Sequence, residues 1–412
     1  MRRVVITGMG VVSSTGTGVD DFWNNIKSGK HGFVPIKGFD TSEFDIKYAA
    51  EVQGFDPIEH GIPKKEVRRL DRFCQFSTVA ANMAIKDAGE FSADLDSFRI
   101  GVIVASGIGG FHSIEEEHTK YLEKGDKRVS VFFIPMMITN MAGGRIAIDH
   151  GFKGENYCPV SACSSSVHAI GEAFRKIKHG TLDACVTGGT EAAITKFSLA
   201  GFNVMGALAT GTDPDRLSIP FDKERSGFVM GDGAAILVLE EMEHAQKRGA
   251  HIYAEVVGYG ATDDAFHITS PNLDGTGLAK AMEFAIAESN IAPEQIDYIN
   301  AHGTATPIND KCETQSIKLA FGEAAGKIAV SSTKSLTGHL LGAAGAIEIM
   351  ICAKALEDGI IPATSGYKVP DEDCDLDYVV EGARHADIEY ALSNSMGFGG
   401  HNASLALKKY KA

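Results

Sequence analysis

The chain has 412 residues, of which 44% are hydrophobic and 23% are charged, a composition typical of soluble globular proteins. Its formal net charge of −15 argues against nucleic acid and against an anionic membrane surface as the main partner. No apolar run approaches the roughly 20 residues that a membrane-spanning helix needs. The N-terminus leads directly into a predicted strand, without a signal-peptide pattern. We therefore expect a cytoplasmic protein with no membrane partner and no nucleic-acid partner.

The seven cysteines are scattered along the chain. They include no C-x-x-C pair and no spacing typical of metal ligands, so we expect neither a disulfide framework nor a zinc site. Several lie in apolar segments, where a cysteine acts as a small hydrophobic side chain. We expect no cofactor.

Short runs of β-branched residues at 3–8 and 101–106 end in glycine-rich turns, which is typical of buried parallel strands. Helical periodicity marks 20–29 and 75–89. The segment 129–148 is too apolar to be exposed, so we expect it to line a pocket or a subunit interface. A place in the hydrophobic core would explain it equally well.

The most informative stretch surrounds a cysteine set among small residues. We interpret Tyr157 to Val160 as the end of a buried strand and Ser161 to Ser166 as a tight turn into a helix. Helical spacing then relates Ala169, Ile170, Ala173, Phe174 and Ile177. This pattern places Cys163 at or near the first turn of a helix, where unpaired N–H groups and the helix dipole favour a thiolate. A buried structural cysteine remains the alternative at this point.

The second half of the chain repeats the plan of the first. Three pairs of segments match, namely 155–192 with 328–366, 231–239 with 397–407, and 103–110 with 298–306. In the first pair, Ile360-Ile361 is expected to be the strand that follows the helix, and in the second pair a glycine-rich turn leads into an edge-like strand. We expect an α/β fold of two βαβ-type halves, residues 1–250 and 251–412, whose equivalent strand ends face each other.

Two histidines of the second half lie in loops of small and hydroxyl residues. His302 follows a predicted strand, and His339 stands at a helix start, five residues after Lys334. Either histidine could be a general base that deprotonates Cys163. Both could instead be neutral N–H donors to a developing oxyanion. His168, about one helical turn past Cys163, is assigned a packing role.

Four motifs, in the same order, resemble those of the β-ketoacyl-acyl-carrier-protein synthases, a family of the thiolase superfamily. They are Ser161-Ala162-Cys163-Ser164-Ser165, His302-Gly303-Thr304-Ala305-Thr306, Lys334-Ser335-Leu336-Thr337-Gly338-His339 and Gly397-Phe398-Gly399-Gly400. The resemblance covers residues 2–409 and implies a five-layered αβαβα fold made of two duplicated halves. It also implies an acyltransferase of fatty acid synthesis, which extends an acyl chain by decarboxylative condensation with malonyl-carrier protein.

The resemblance implies a role for each motif. Cys163 would carry the acyl group as a thioester, and His302 and His339 would stabilise the enolate formed when the malonyl group loses CO₂. Backbone N–H groups of Cys163 and Phe398 would hold the oxyanion of acyl transfer. Lys334 would tune the site through its charge, and Phe398 would gate entry of the second substrate.

Three further sets of residues are assigned by the resemblance, namely contacts of the pantetheine arm (Thr304, Thr306), contacts of the acyl chain (Ile108, Phe133, Phe202) and surroundings of a monovalent cation (Asn300, Glu348, Ser393, Asn394). Ala305 stands where the family usually has a serine, and Ser161 where it often has a threonine. Because the hydroxyls of Thr304 and Thr306 remain, we expect the loss at Ala305 to be tolerated.

The expected partners are acyl carrier protein and a second copy of the chain. Residues 63–72 contain five basic and two acidic residues. Taken alone, this segment would be an ordinary solvated surface. With the resemblance, we expect Lys65, Arg68 and Arg69 to dock the acidic carrier protein. The family is homodimeric, with an acyl pocket that reaches the subunit interface.

Three other functions share parts of this pattern. A polyketide ketosynthase performs the same chemistry on a different acyl chain, although no fused acyltransferase or carrier segment is recognised here. A coenzyme A-dependent thiolase needs a second cysteine near the C-terminus, and the corresponding loop, 397–402, has none. A non-catalytic chain-length subunit lacks the nucleophile, so Cys163 argues against it.

Overall fold

The computed structural model describes residues 1–411, so the last residue of the expected second half lies outside it. The first half contains eight strands, β1 (Val4–Ser13), β2 (Gly16–Thr17), β3 (Val34–Pro35), β4 (Tyr48–Ala49), β5 (Ile100–Ala105), β6 (Asn156–Tyr157), β7 (Ala184–Glu191) and β8 (Gly233–Glu241). Its helices are α1 (Val19–Lys27), α2 (Lys64–Val67), α3 (Arg72–Ala88), α4 (Phe111–Lys124), α5 (Phe133–Met137), α6 (Met141–His150), α7 (Ser165–Lys178), α8 (Lys196–Val204) and α9 (Met242–Lys247). The four elements expected between residues 3 and 106 are therefore present, as β1, α1, α3 and β5. The expected parallel pairing is confirmed for β5 but is wrong for β1, whose pairings with β2, β8 and β9 are all antiparallel.

The second half has fewer elements. Its strands are β9 (Ala254–Asp263), β10 (Tyr298–Asn300), β11 (Ala329–Ser331), β12 (Ile360–Ile361), β13 (Arg384–His385), β14 (Tyr390–Gly397) and β15 (His401–Lys409). Its helices are α10 (Thr276–Ser289), α11 (Pro307–Phe321), α12 (Lys334–Thr337) and α13 (Ala344–Asp358).

Strand pairing shows the internal duplication directly. The first half has the order β1-β8-β7-β5-β6, and the second has β9-β15-β14-β10-β11. In each, the first two pairings are antiparallel and the last two are parallel. The two sets, each of which forms one β-layer and is called a sheet below, are joined where Val4–Ile6 of β1 pairs with Ala254–Val256 of β9.

Two details of the expected repeat are wrong. Ile360-Ile361 pairs with β13 in a separate two-stranded sheet, and the counterpart of β7 is β14, about 30 residues further on. The strands β8 and β15 lie inside the sheet rather than at its edge, because each pairs on both sides. A short apolar run in the sequence does not indicate which strands it will pair with. The sequence therefore could not distinguish an edge strand from a central one, or a strand of the main sheet from one of a separate sheet.

Paired glycines explain how a helix packs on each sheet. A Cβ added at Gly8 or Gly10 of β1 would lie 2.2 or 2.0 Å from a backbone oxygen of α3. At Gly258 and Gly260 of β9, the corresponding distances to backbone oxygens of α10 are 2.0 and 1.9 Å. The same glycine spacing thus lets an outer helix approach the equivalent strand in both halves.

The innermost layer consists of α7 and α13, which contact each other and strands of both sheets. The predicted apolar face of α7 is buried, as expected from its spacing, and each fully buried Ile or Phe contributes about 1.5–3 kcal/mol. Nearly all residues of α13 are themselves buried, as is typical of a helix enclosed on all sides. With α3 and α10 outside, the layers run αβαβα, as predicted. Within residues 1–411, no helix is both long and apolar enough to cross a bilayer.

Candidate active site

Cys163 lies in a tight turn just before α7. Ala162 has a φ of 51°, a left-handed conformation that costs energy for a residue with a Cβ. The Ser165 hydroxyl stabilises this turn by accepting from the Ser161 N–H at 2.8 Å and donating to the Ala162 carbonyl at 2.6 Å. The turn points the cysteine toward a cavity, ahead of the first helical residue.

The expected buried strand before this turn is wrong. Only Asn156 and Tyr157 pair with β5, and the side chain of Val160 is 55% exposed. The reason is that β6 is the edge strand of its sheet and ends at Tyr157, so Cys158 and Pro159 are only partly buried and Val160 is exposed.

Both predicted histidines meet at the cysteine. His339 Nε2 lies 3.1 Å from Cys163 Sγ, and the rings of His302 and His339 are 5.4 Å apart at 84°. His302 is supplied by the loop after β10, and His339 by the turn between α12 and α13. That turn and the Cys163 turn occupy equivalent places in the two halves, since each leads into one of the two central helices.

Lys334 lies behind the histidines and is buried. Its Nζ donates to the His302 carbonyl at 2.6 Å, lies 3.4 Å from His302 Nδ1, and forms an ion pair with Glu348. An ammonium group has no lone pair, so His302 Nδ1 must be the acceptor and the ring proton must be on Nε2. By contrast, His339 Nδ1 is buried with no hydrogen-bond partner in the described part of the chain.

Burial and charge keep these groups neutral at rest. Burial raises the pKa of the Cys163 thiol to about 12, with Lys334 opposing the rise and Glu191 adding to it. Burial and then the Lys334 charge hold the pKa of His302 and of His339 well below the usual value. The resting site therefore differs from the expected thiolate, because the sulfur lies in a pocket that disfavours its charge.

A cavity of about 540 Å³ unites most of the predicted residues. Those that line it are Ile108, Cys163, Phe202, His302, Thr304, Thr306, His339 and Phe398. Lys334 is not part of the lining but contacts His302, which is. The hydroxyls of Thr304 and Thr306 are 2.9 Å apart, so both face the same part of the cavity.

The predicted acyl-chain contact Phe133 does not reach the cavity of its own chain. It belongs to α5, whose surroundings are unusually apolar for a surface: Val131 is 88% exposed and Ile134 is 57% exposed. The first part of the segment 129–148 is thus uncovered in the single chain, together with Val160, whereas Ala142 and Ile146 in its second part are buried in the hydrophobic core.

The predicted docking residues Lys65, Arg68 and Arg69 are all exposed at α2 and just after it. Arg69 lies 3.3 Å from a carboxylate oxygen of Glu66, and its guanidinium lies 4.9 Å from the ring centre of Phe132. The basic segment is therefore adjacent to the exposed apolar surface.

The four residues predicted to surround a cation are all buried, and Glu348 forms the ion pair with Lys334. Glu348 Oε2 and Ser393 Oγ have no hydrogen-bond partner among residues 1–411. Asn300 lies against Thr333, at 3.3 Å. Asn394 differs, since its Oδ1 accepts from Ser404 at 2.9 Å.

Two buried glutamates were missed by the sequence analysis. Glu313 accepts the backbone N–H groups of His302 and Gly303 at 2.8 and 2.7 Å, and burial raises its pKa to about 7. Glu191 accepts from the loop that contains Ile108. The position of Glu191 at the end of an apolar strand could have predicted a buried carboxylate that needs partners. For Glu313, the sequence of α11 contains no comparable indication.

The αβαβα layers and the cysteine–histidine cavity define a thiolase-like enzyme. Two family models match, "Beta-ketoacyl synthase, N-terminal domain" over residues 1–245 and "Beta-ketoacyl synthase, C-terminal domain" over residues 253–368. The chain belongs to the β-ketoacyl synthase family.

Curated relatives and solved structures agree with this assignment. A 3-oxoacyl-[acyl-carrier-protein] synthase 2 of Staphylococcus aureus (strain N315) is 49% identical, covering 100% of this chain and 99% of that protein. One from Synechocystis sp. is 48% identical, with the same coverage. The ishigamide ketosynthase/chain length factor matches with a TM-score of 0.92 at 36% identity, covering 100% of both chains. A type II polyketide ketosynthase solved with its acyl-carrier protein matches at 0.92 and 33%, also covering 100% of both.

Proposed function

We propose that this protein is a 3-oxoacyl-[acyl-carrier-protein] synthase II, an enzyme that elongates fatty acids. It condenses malonyl-carrier protein with an acyl chain held on Cys163, releasing CO₂ and leaving 3-oxoacyl-carrier protein. The observation that carries the proposal is the 3.1 Å approach of His339 Nε2 to Cys163 Sγ, with His302 across the same cavity. The full-length similarity to synthase 2 proteins supports the substrate class.

In the first half-reaction, Cys163 Sγ attacks the thioester carbonyl of acyl-carrier protein. The C–S bond to the pantetheine sulfur breaks, and the thiol proton of Cys163 reaches that sulfur through His339 Nε2. His339 suits this transfer because its Nδ1 is not held by a donor in the described structure, so Nε2 can accept or carry the proton.

The oxyanion of this step would be held by the N–H groups of Cys163 and Phe398. This role is supported by the close packing of the two backbones: a Cβ added at Gly397 would lie 3.2 Å from the Cys163 nitrogen. The next N–H along the chain, that of Phe398, therefore belongs to the same small region. Backbone N–H groups fixed in this way need no reorganisation as charge develops.

In the second half-reaction, malonyl-carrier protein loses CO₂ and its enolate carbon attacks the thioester on Cys163. Two neutral imidazoles suit the developing enolate oxygen. His302 donates Nε2–H directly, and His339 does so once its ring proton has moved from Nδ1 to Nε2, which no partner of Nδ1 in the described residues prevents. The contact with Lys334 holds His302 in that tautomer. An imidazolium would instead pair with the malonyl carboxylate and oppose its departure as neutral CO₂. Collapse of the tetrahedral adduct then expels the Cys163 thiolate, which recovers a proton.

The remaining cavity residues fit the two carrier-bound substrates. Thr304 and Thr306 would bind the pantetheine arm through their paired hydroxyls, and Ile108 and Phe202 would contact the acyl chain. Phe398 would gate the entrance, because it lies between strands β14 and β15 in a turn whose Gly399 and Gly400 have φ of 91° and 87°.

A homodimer is part of this proposal. Dimerisation would cover Val131, Ile134 and Val160 and would bring Phe133 to the acyl pocket of the partner copy. An Ile134→Asp variant should shift the protein from twice the chain mass to the chain mass in light scattering, because a charge cannot be buried unpaired in an apolar interface. A wild-type protein that is monomeric at micromolar concentration would contradict the dimer.

Carrier protein is the proposed partner, and Lys65, Arg68 and Arg69 would bind its acidic surface. Their exposure on a chain of net charge −15 supports this role. The division of the molecule into halves at 1–250 and 251–412 is likewise proposed, supported by the repeated strand order.

A monovalent cation bound by Asn300, Glu348 and Ser393 is also proposed, with Asn394 nearby. The unpaired oxygens of Glu348 and Ser393 are the kind of oxygen donors that a hard cation takes. Such an ion would supply fixed positive charge behind Lys334. Elemental analysis of the dialysed protein, with Ser393→Ala as the comparison, tests this, and equal cation content in both would remove Ser393 from the site.

The competing function is a polyketide-type ketosynthase, and the match to a type II polyketide ketosynthase at 33% identity supports it. Both functions are tested by incubating the protein with acyl-carrier and excess malonyl-carrier protein and weighing the carrier-bound products. One two-carbon extension supports the proposal, and repeated extension without reduction supports the competitor. No extension of any acyl chain would overturn both.

A further inference from the structure

Glu191 ends strand β7 and is completely buried, at the sheet edge that borders the active-site cavity. A buried carboxylate is costly unless hydrogen bonds or a counterion satisfy it. The arrangement around this one is therefore informative.

Four neutral donors converge on the two oxygens of Glu191. Oε1 accepts from the Ser106 hydroxyl at 2.9 Å and from the Ile108 N–H at 3.2 Å. Oε2 accepts from the Gly107 N–H at 2.8 Å and from the Gly342 N–H at 3.0 Å. Three of the four are backbone groups, which can only donate, so they require an acceptor. Burial raises the pKa of Glu191, and the four hydrogen bonds oppose that rise.

These donors come from two different loops. Ser106 to Ile108 follow β5 of the first half, whereas Gly342 follows His339 in the turn before α13 of the second half. A Cβ added at Gly342 would lie 2.3 Å from the Gly107 nitrogen and 2.7 Å from Glu191 Oε2. The loops are thus in direct backbone contact, and the carboxylate lies at that contact.

Both loops line the cavity beside Cys163. Ile108 contributes its side chain there, and Leu341, between His339 and Gly342, contributes its own while held at a φ of 48°. A left-handed leucine persists only when its surroundings constrain it. The hydrogen bond from the Gly342 N–H to Glu191 supplies such a constraint on the residue directly after Leu341.

We propose that Glu191 is a positioning residue, which joins the acyl-chain wall at Ile108 to the turn that carries His339 and so sets the distance between His339 and Cys163. The inference rests on the proposed condensation. It assigns a glutamate of the first half to the alignment of a histidine of the second.

The test is Glu191→Gln. A glutamine keeps the shape but turns an NH₂ group toward one pair of these donors, so at least one backbone N–H loses its acceptor and the loop that carries it must move. We expect the condensation kcat to fall by about 10- to 100-fold, as a displacement near 1 Å produces. The KM for malonyl-carrier protein should stay within about threefold, since the carrier-binding surface is untouched.

A second readout separates positioning by a charged group from simple packing. The Glu191 charge raises the pKa of Cys163 after burial, together with Glu348 and against Lys334. In the variant, the pH profile of Cys163 alkylation by iodoacetamide should therefore move to lower pH while condensation becomes slower. Alkylation needs no acyl substrate, so it is measurable even if the proposed condensation is wrong.

Glu240→Gln is the matched control, because Glu240 is equally buried but binds Thr7, His244 and Arg248 near the opposite end of its sheet. It should leave kcat and the alkylation profile as in the wild type. If Glu191→Gln does not fold, Ser106→Ala carries the test, since it removes one of the four donors and should lower kcat about threefold.

Wild-type kcat and alkylation profile in Glu191→Gln, or in Ser106→Ala if that variant must replace it, would overturn the inference. A loss of kcat equal to that of Glu240→Gln would do the same. A wild-type enzyme without condensing activity would instead refute the proposed function, so the two failures are distinguishable.

Discussion

Lys334 makes the two histidines of the site unequal. It donates to the His302 backbone, lies against His302 Nδ1 and pairs with Glu348, while it reaches His339 only through its charge. One imidazole is therefore fixed as an N–H donor, and the other remains able to exchange a proton with Cys163. The difference follows from a single buried cation.

Replacing Lys334 by Met should change the pH dependence of malonyl decarboxylation. Its positive charge disfavours imidazolium, so its removal raises the pKa of His302 from its present low value. Protonation then begins at higher pH, and the acid limb of the CO₂-release profile should move upward, with a lower maximal rate. Lys354→Met, at an ammonium that pairs with Glu357 and Asp358, should retain the wild-type profile. An acid limb unchanged by the loss of Lys334 would contradict this account.

Sequence reasoning found the residues proposed to react, and Lys334 beside them, but not the two glutamates that bind their loops. Cys163, His302 and His339 stand in runs of small residues, and such runs are visible in one dimension. Glu191 and Glu313 bind backbone groups 10 to 151 positions away. The local sequence does not show which distant groups a side chain will contact or how deeply it will be buried. For the same reason the sequence could not predict the charge state of Cys163, because burial is the main cause of its raised pKa.

The turn between β14 and β15 packs on the Cys163 turn through Gly397. A Cβ there would lie 2.6 Å from the Ser161 carbonyl oxygen and 3.2 Å from the Cys163 nitrogen. These strands therefore form one wall of the proposed oxyanion site, and a glycine is needed because the two backbones nearly touch.

Gly397→Ala should slow acylation of Cys163 by about 10- to 100-fold, because the methyl group separates the two oxyanion N–H groups. Stopped-time mass measurements of the acyl-enzyme give this rate. Gly326→Ala is the control, since its added Cβ meets no atom within 4 Å. Equal acylation rates in the two variants would argue against the assigned oxyanion site.

Among the elements, the duplicated order was predictable because strands and helices of equal pattern recur in both halves. The lengths of β6 and β12 were not, since both are two-residue pairings at the margins of their sheets. Whether such a run pairs at all depends on its neighbours in space.

Across the whole molecule, charge is distributed unevenly. A chain of net charge −15 would repel an acidic carrier protein, and the exposed cations at α2 provide a local exception. The contact of Arg69 with Phe132 places these cations beside the apolar surface that a second copy would cover. Carrier binding and dimerisation would thus use adjoining parts of the surface.

Reversing Arg68 and Arg69 to Glu should raise KM for carrier-bound substrates by about tenfold or more and leave a small acyl thioester unaffected. The expected loss is electrostatic, so it should diminish at high salt. Lys318→Glu with Lys327→Glu should change neither KM, because Lys318 is in the last turn of α11 and Lys327 follows that helix, at the end far from the cavity. Equal effects on both substrate types would contradict docking at α2.

The central claim is that Cys163 carries the acyl chain, and intact-mass measurement after incubation with acyl-carrier protein tests it most directly. We predict a single acyl adduct on the wild-type protein, discharged with release of CO₂ when malonyl-carrier protein is added. Cys163→Ala should show no adduct, whereas His302→Ala should form the adduct but fail to discharge it. An unmodified wild-type protein, or an adduct that survives in Cys163→Ala, would contradict the account.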